Sequence, residues 1–173
     1  MTHYIIQHTI KKQKERIIKK LIKQNKPVHG FHVDLLLSNI YERRSFKILK
    51  KYLNNSISEV EYNNDWRYDF IADNIKYEVK LDTLVHLYNN YYIEYKCSFK
   101  DSGIYHTESD YYIITDTINY YMIDTEKLKY IITKYINNPD VLKDHKRTNP
   151  SGQCVQGYLI KCHIINNEAV KLN

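Results

Sequence analysis

The sequence predicts an α/β domain, and three observations lead to that class. Segments with apolar residues every three or four positions, which is typical of helices, alternate with short segments in which apolar and polar residues alternate, as in strands. The chain has neither an internal repeat nor a low-complexity linker. With 173 residues, it is long enough for one domain with a sizeable core. We expect a basic N-terminal arm or helix over residues 1–32 and a single α/β domain over residues 33–173.

The first predicted helix covers residues 9–24, and Pro27 and Gly30 end it. One side carries a narrow stripe of isoleucine and leucine, and lysine dominates the rest. Two interpretations remain open for this helix: an arm that binds phosphate groups, or a helix that packs on the core through its stripe.

The second predicted helix begins after Asp34, a suitable N-cap, and runs to about Leu53. Helical spacing places Glu42 in the same stripe as apolar residues such as Leu35. A buried carboxylate without a partner is costly, so Glu42 requires a partner, a metal ion or a water-filled cleft. A salt bridge with one of the two arginines that follow it is the alternative.

Residues 66–82 predict a β-hairpin with strands Trp66–Ala72 and Ile75–Leu81. Asp73 and Asn74 tolerate the positive φ of the two-residue turn that joins these strands. With this turn, each residue pairs with the one whose number brings the sum to 147.

The predicted register places like charges opposite each other, Asp69 opposite Glu78 and Arg67 opposite Lys80. Each such pair destabilises a sheet by a few tenths to about 1 kcal/mol. A divalent cation between Asp69 and Glu78 would turn the first repulsion into an attraction, because such an ion requires hard oxygen ligands. The alternative is an ordinary strand with one solvated face, since charged and apolar residues alternate along the second strand.

The remaining elements are predicted from turn residues and alternation. They are a strand at Ile57–Tyr62, a loop or single helical turn at Thr83–Asn90, strands at Tyr91–Cys97, Asp110–Thr115 and Ile118–Ile123, a helix from Thr125 to about Asn137, a loop at Pro139–Gly152 and a last strand at Gly157–Ile165. Thr125-Glu126-Lys127 is expected to cap the helix that it begins.

Positive charge is concentrated in the first part of the chain, whose overall net charge is +6. Residues 1–52 contain 13 Lys and Arg against 3 Asp and Glu, a net of +10, whereas residues 53–173 contain 13 against 17, a net of −4. This split suggests that the first part binds a polyanion and that the second performs metal chemistry. A merely solvated basic helix is the alternative.

Isoleucine, lysine, asparagine and tyrosine account for 78 of the 173 residues. Their codons are rich in A and T, so we expect an AT-rich genome, such as that of many viruses and phages. No apolar run approaches the roughly 18 residues of a membrane span, and the N-terminus lacks the apolar core of a signal peptide. We therefore expect a soluble, intracellular protein that has no membrane partner.

The hairpin brings Asp69 together with Glu78-Val79-Lys80 on adjacent strands, behind a helix that carries Glu42. Three ordered blocks follow: Glu78-Val79-Lys80-Leu81-Asp82, Asn90-Tyr91-Tyr92-Ile93-Glu94, and Ser102-Gly103-Ile104 with Thr107 and Asp110-Tyr111. In these features, residues 35–135 resemble the PD-(D/E)xK nuclease superfamily, with similarity to phage-encoded members and to archaeal-type Holliday junction resolvases. The chain departs from the superfamily pattern at Tyr68, which stands where the pattern has proline, a departure that is common in the superfamily. It also has no obvious long helix between Glu94 and Asp110.

This resemblance implies a mixed central β-sheet flanked by helices and an endonuclease that hydrolyses phosphodiester bonds in DNA, including branched or recombination intermediates. Asp69 and Glu78 would bind Mg²⁺ or Mn²⁺ together with the backbone carbonyl of Val79. Lys80 would orient the attacking water or neutralise developing charge. Glu42 would complete the site through a metal-bound water. Related resolvases usually act as dimers, so a homodimer is compatible with this function.

Four further residues are candidates for contacts with substrate or with the metal ligands: Asp82, Glu94, Ser102 and Thr107. An exposed strand residue is the alternative for Glu94, and an ordinary turn is the alternative for Ser102. Glu94-Tyr95-Lys96 is also a second Glu-x-Lys sequence that rivals the first. Three other functions remain open: a nucleic-acid-binding protein that does not cleave, a nuclease that acts on RNA, and a structural virus protein.

Overall fold

The structure is a computed structural model that describes residues 2–24, 26, 28, 30–63, 67–148 and 152–173, with backbone alone for residues 2, 3 and 31. The helices are α1 (Thr2–Lys23), α2 (Gly30–Tyr52), α3 (Val85–Tyr88), α4 (Thr125–Tyr135) and α5 (Cys162–Glu168). The strands are β1 (Val60–Tyr62), β2 (Phe70–Ala72), β3 (Ile75–Leu81), β4 (Asn90–Cys97), β5 (Lys100–Asp101), β6 (Tyr111–Thr115), β7 (Tyr120–Asp124), β8 (Leu142–Thr148), β9 (Cys154–Lys161) and β10 (Val170–Lys171).

Two sheets form the framework. The first has six strands in the order β1-β2-β3-β6-β7-β10, in which β3 and β6 are parallel and the other neighbours are antiparallel. The second is antiparallel, with the order β5-β4-β9-β8. The predicted α/β class with a mixed sheet flanked by helices is confirmed. The second sheet was not foreseen.

The six-stranded sheet separates two apolar clusters. On one face, α1 and α2 pack against alternate residues of β3 and β6, among them Val79 and Ile113. On the other face, Tyr112 and Ile114 of β6 belong to a cluster that includes the four-stranded sheet, α4 and α5. Successive side chains of a strand point to opposite faces, so Glu78 lies on the second face, opposite to that of Val79.

The predicted hairpin is confirmed at its turn and in its register. Phe70 pairs with Tyr77 and Ala72 with Ile75, so the paired numbers sum to 147. The turn residues Asp73 and Asn74 have φ values of 49° and 69°, as expected for a two-residue turn. The paired part of β2 is shorter than predicted, because it begins at Phe70; Trp66 lies outside the described residues.

α1 packs on the rest of the protein through its apolar stripe. Four apolar residues of α1 are buried: Ile6, Ile10, Ile17 and Leu21. A buried hydrogen bond of 3.0 Å links the Tyr41 hydroxyl of α2 to the side chain of Gln13. The helix that contains residues 9–24 thus packs on the core through its stripe, and most of its lysines are exposed.

α2 differs from the prediction in its start and in its buried face. It begins at Gly30, so Gly30 does not end the first helix, and the predicted boundary between residues 32 and 33 falls inside α2. Its buried residues are Val33, Leu37, Tyr41, Ser45 and Leu49. This face is rotated from the predicted stripe, since Leu35 is 47% exposed. Glu42 consequently lies beside the packed face and is half-buried.

Most differences between the predicted and the observed secondary structure lie in the C-terminal region. The predicted loop at residues 139–152 is wrong, because it contains β8, whose residues after Leu142 are exposed and so lack the alternation of a half-buried strand. The last predicted strand is too long, since β9 ends at Lys161 and α5 follows. The β-branched residues Ile164 and Ile165 of α5 favoured a strand in the sequence. α4 begins at Thr125 as predicted, but its N-cap is Asp124.

The other predicted elements agree in type with the structure. Residues 83–90 contain the single helical turn α3, and β4 follows it. β6 and β7 form the expected antiparallel pair. Among the described residues, none of the helices combines the length and the apolar character needed to cross a membrane.

Candidate active site

The candidate site lies just before Phe70, the first residue of β2, beside the part of β3 that β2 does not pair with. Within the described residues, β2 pairs with β3 as far as Tyr77, and β3 runs on to Leu81. Asp69 stands at this point: its N–H donates to the carbonyl of Tyr77 over 2.9 Å. Its carboxylate accepts the N–H of Val79 over 2.6 Å. Asp69 is therefore held at the open edge of β3 by both its backbone and its side chain.

The carbonyl of Val79 shares this edge. In a strand, the N–H and C=O of one residue point to the same side, and the N–H of Val79 points to Asp69. The carbonyl oxygen of Val79 thus faces the same side of β3 as the Asp69 carboxylate. This is the orientation that the predicted metal ligand requires.

Glu78 and Lys80 share one face of β3. They pair with Tyr112 and Ile114 of the parallel strand β6, without an irregularity between them. The ammonium of Lys80 lies 2.5 Å from Oε1 of Glu78. Glu78 is buried, whereas the side chain of Lys80 is 32% exposed. The ion pair therefore spans the distance from the protein interior to the surface.

Glu42 approaches the same cluster from α2. Burial raises the pKa of its carboxyl, and the charge of Glu78 raises it further, while Arg43 and Lys80 lower it. Arg43 itself lies over the ring of Tyr62, 4.6 Å from the ring centre. Glu42 therefore lies close enough to Glu78 and Lys80 of β3 for their charges to change its pKa.

The cluster contains three carboxyl groups, those of Glu42, Asp69 and Glu78, and the ammonium group of Lys80. Burial and the neighbouring Glu78 raise the pKa of Asp69 to about 8, against the opposing effect of Lys80. Burial by itself would lower the pKa of Lys80, but Glu78, Tyr112 and Asp69 outweigh it and raise that pKa. With a pKa of about 8, the Asp69 carboxyl holds a proton at neutral pH, and a bound cation would favour its ionised form.

Oxygen donors at this edge fit Mg²⁺ or Mn²⁺ in chemical type. The side chains of Asp69 and Glu78 and the carbonyl of Val79 would be the ligands. Among the described residues, His, Cys, Asp and Glu side chains form no group of three or more placed to hold a metal ion. To bind one here, Glu78 would exchange the ammonium of Lys80 for the ion.

The predicted opposition of Arg67 and Lys80 is wrong. β2 starts after Arg67, and the guanidinium of Arg67 lies 3.2 Å from the carboxylate of Glu108. Glu108 also binds the ammonium of Lys76 over 2.8 Å. The like charges predicted at this position are therefore separated, and each cation has an acidic neighbour.

Two of the additional candidates support the backbone. Asp82 accepts the N–H groups of Leu84 and Tyr92 over 2.9 and 3.0 Å, so it fixes the connection from β3 to β4. Burial raises the pKa of Asp82. Thr107 donates its hydroxyl to the carbonyl of Arg67 over 2.8 Å. This bond links the segment that precedes β6 to the segment that contains Asp69 and precedes β2.

Glu94 and Ser102 bind each other rather than the cluster on β3. The hydroxyl of Ser102 donates to the Glu94 carboxylate over 2.5 Å. A β-bulge lies between Glu94 and Lys96, which pair with Gly157 and Gln156, neighbours on opposite faces of β9. The second Glu-x-Lys sequence thus lacks the shared face that Glu78 and Lys80 have.

Tyr112 was missed as a site residue. It pairs with Glu78, is fully buried, and raises the pKa of Lys80. The pKa of Tyr112 is itself raised, chiefly by burial, although Lys80 opposes the shift. Only the parallel pairing of β3 with β6 brings it here, and no local sequence signal specifies that pairing.

We refer to the exposed basic residues of α1 and α2 as the basic surface. Its exposed residues are Lys11, Lys12, Arg16, Lys19, Lys20 and Lys23 on α1, and Arg43, Arg44, Lys47 and Lys51 on α2. A groove of about 240 Å³ between the helices is lined by Arg16, Lys20 and Arg44. Because Arg43 follows Glu42 directly, the basic surface reaches the candidate site.

No family model matches the chain, and no curated protein or solved structure matches it. A functional proposal therefore rests on the geometry and charge of Glu42, Asp69, Glu78 and Lys80.

Proposed function

We propose that the chain is a metal-dependent nuclease that hydrolyses phosphodiester bonds in DNA and has a PD-(D/E)xK core. One observation carries the proposal. Asp69 and the backbone of Val79 meet at the open edge of β3, beside the Glu78–Lys80 pair. The basic surface of α1 and α2 provides a path for a polyanionic backbone to this edge.

Each residue of the candidate site has its own role in the proposed reaction. A divalent ion held by Asp69, Glu78 and the Val79 carbonyl would supply positive charge at the scissile phosphate and lower the pKa of a bound water. Lys80 remains protonated at neutral pH because its pKa is raised, so it donates hydrogen bonds and stabilises negative charge rather than accepting a proton. Glu42 has a raised pKa that suits a proton acceptor for the attacking water.

A nucleic-acid-binding protein that does not cleave is the second candidate. The exposed cations of α1 and α2 would bind phosphates in either case. The contact of 2.5 Å between Lys80 and Glu78 favours this second function, because it satisfies Glu78 within the protein. Cleavage decides between the two.

The test is a cleavage assay on the full chain with Mg²⁺, Mn²⁺ or EDTA. The substrates are single-stranded DNA, duplex DNA, a four-way junction and RNA. Lys80→Ala is the test variant, and Lys76→Ala is its matched control, since Lys76 lies on the same strand and pairs with Glu108 instead. Metal-dependent cleavage that only Lys80→Ala removes would support the nuclease. Binding without cleavage under every condition would support the second candidate.

A further inference from the structure

A cavity of about 550 Å³ opens at the C-terminal end of β3, outside the carboxylate cluster. Leu81 and Asp82, which follow Lys80 directly, form one part of its wall. Tyr92, His145 and Arg147 of the second sheet form another part. The volume lies within the range of about 300–1,000 Å³ that is usual for small-molecule sites.

Tyr92 is a rigid element of this cavity. A side chain at Gly157 would collide with the Tyr92 ring, so the ring lies directly on the bare backbone of β9. The guanidinium of Arg147 covers the ring, 4.2 Å from its centre. His145 meets the same ring edge-on, with 6.2 Å between the ring centres. Arg147 is thereby positioned with its planar cation exposed to the cavity.

The cavity offers apolar and aromatic surface as well as positive charge. Tyr88 and Leu84 line it and are 61% and 45% exposed. Arg147 and His145 are the basic side chains of the lining. Asp82 is its acidic side chain: the carboxylate accepts two backbone N–H groups, and the charge of Arg147 acts to lower its pKa. A planar ring next to an anionic group complements this combination, since guanidinium groups stack on bases and bind phosphate.

We propose that this cavity binds one unstacked nucleobase together with its adjoining phosphate. The choice of ligand rests on the proposed function, because a nucleic acid at Lys80 would pass the end of β3. The base would stack on the guanidinium plane of Arg147, supported from below by Tyr92. A protein with such a cavity prefers single-stranded or locally unpaired nucleic acid over continuous duplex, since a base in a duplex is not available for stacking.

The test uses an oligonucleotide that contains 2-aminopurine, in EDTA so that cleavage cannot occur. Binding of the single strand should change the 2-aminopurine fluorescence, and a fully paired duplex should show little change. Arg147→Ala should weaken binding of the single strand roughly 10-fold and remove the fluorescence change. Lys146→Ala is the matched control, because this exposed lysine precedes Arg147 on β8 and points to the opposite face.

Arg147→Lys separates stacking from charge. It should keep most of the affinity but lose the fluorescence change, because an ammonium ion is not planar. Equal behaviour of Arg147→Ala and Lys146→Ala, or a fluorescence change that persists in Arg147→Lys, would overturn the proposal. Circular dichroism of each variant shows whether it remains folded.

Two sources of this ligand are distinguished by competition with adenosine monophosphate. Displacement of the oligonucleotide at micromolar concentration would identify a free nucleotide as the occupant, and no displacement would identify a nucleotide within a strand. The outcome is independent of the nuclease assay: a fluorescence change without cleavage under any condition would refute the nuclease and retain the base-binding cavity.

Discussion

The N–H of Val79 donates to the carboxylate of Asp69 over 2.6 Å, at the point where β2 no longer pairs with β3. This bond replaces a ladder hydrogen bond that the shorter strand does not supply. It also brings an acidic side chain to within the field of Glu78. Two carboxyl groups thus lie close together beside β3, and burial together with the charge of Glu78 raises the pKa of Asp69.

Asp69→Asn should change the dependence of stability on pH in the absence of metal. The pKa of Asp69 is about 8 in the folded protein and near 3.8 when unperturbed, so the folded state holds a proton that the unfolded state has lost. Stability from this group is complete below pH 4 and declines as the pH rises to about 8. Asparagine cannot ionise, so the variant should gain about 1–3 kcal/mol relative to wild type between pH 5 and pH 8.

Urea denaturation in EDTA at the two pH values measures this difference. Asp73→Asn is the control, because hydrogen bonds to Glu59 and Ser58 lower the pKa of Asp73 and it stays ionised throughout this range. Its effect should be the same at both pH values. A gap between wild type and Asp69→Asn that does not widen with pH would contradict the environment assigned to Asp69.

Mg²⁺ or Mn²⁺ should stabilise the protein at pH 8. An ion that binds only the folded state at ten times its dissociation constant adds about 1.4 kcal/mol, which raises the melting temperature by about 3–6 °C. Glu78→Gln should largely remove this rise, because it deletes a charged ligand. Glu108→Gln is the control, since Glu108 is exposed and pairs with Lys76 and Arg67. Equal shifts in both variants would place the ion elsewhere.

Glu78→Gln and Glu94→Gln should differ sharply in cleavage. Both residues begin a Glu-x-Lys sequence, but the bulge in β4 separates Glu94 from Lys96, and Glu94 accepts a hydrogen bond from Ser102. We expect a loss on the order of 100-fold or more for Glu78→Gln and a change within about 3-fold for Glu94→Gln. The initial rate on the preferred substrate measures both. The reverse order would move the active site to β4.

The sequence predicts the hairpin and its charges because these depend on local features. Asp73 and Asn74 accept positive φ, and the two-residue turn then fixes the register from Ala72–Ile75 to Phe70–Tyr77. Asp69 lies just outside this paired segment, where its N–H donates to the carbonyl of Tyr77, so the predicted direct pairing with Glu78 does not appear in the ladder. Contacts between residues far apart in the chain could not be predicted from such local features. The parallel pairing that brings Tyr112 to Glu78 joins residues separated by more than thirty positions, and nothing in either segment specifies it.

The predictions for β8, β4 and α2 failed for three different reasons. β8 is an edge strand, and the residues that follow Leu142 are exposed and largely charged, so they resemble a loop. The bulge after Glu94 is a property of the pairing with β9 and could not be inferred from β4 alone. The buried face of α2 was misplaced because neighbouring helical stripes both contain apolar residues, such as Leu35 and Leu37.

Gly103→Ala should destabilise the protein more than Gly152→Ala. Both glycines have positive φ, 50° and 82°, so alanine is strained at either position. At Gly103 the new Cβ would overlap the backbone carbonyl of Glu94. At Gly152, the described part of the chain, apart from the glycine and its two neighbours, places no atom within 4 Å of a new Cβ. We expect a loss of about 2–4 kcal/mol at Gly103 and about 1 kcal/mol at Gly152.

Chemical denaturation measures the free energy of unfolding of the two variants. Because backbone strain affects both, the difference between their losses reports the overlap of the new Cβ with Glu94 of β4. Near-equal losses would mean that the loop after β5 can move away from Glu94. A much larger loss at Gly103 would establish that this loop is fixed on β4, as the hydrogen bond from Ser102 to Glu94 also requires. Because that bond lies far along the chain from Glu78, cleavage by any Gly103→Ala protein that remains folded should stay close to wild type.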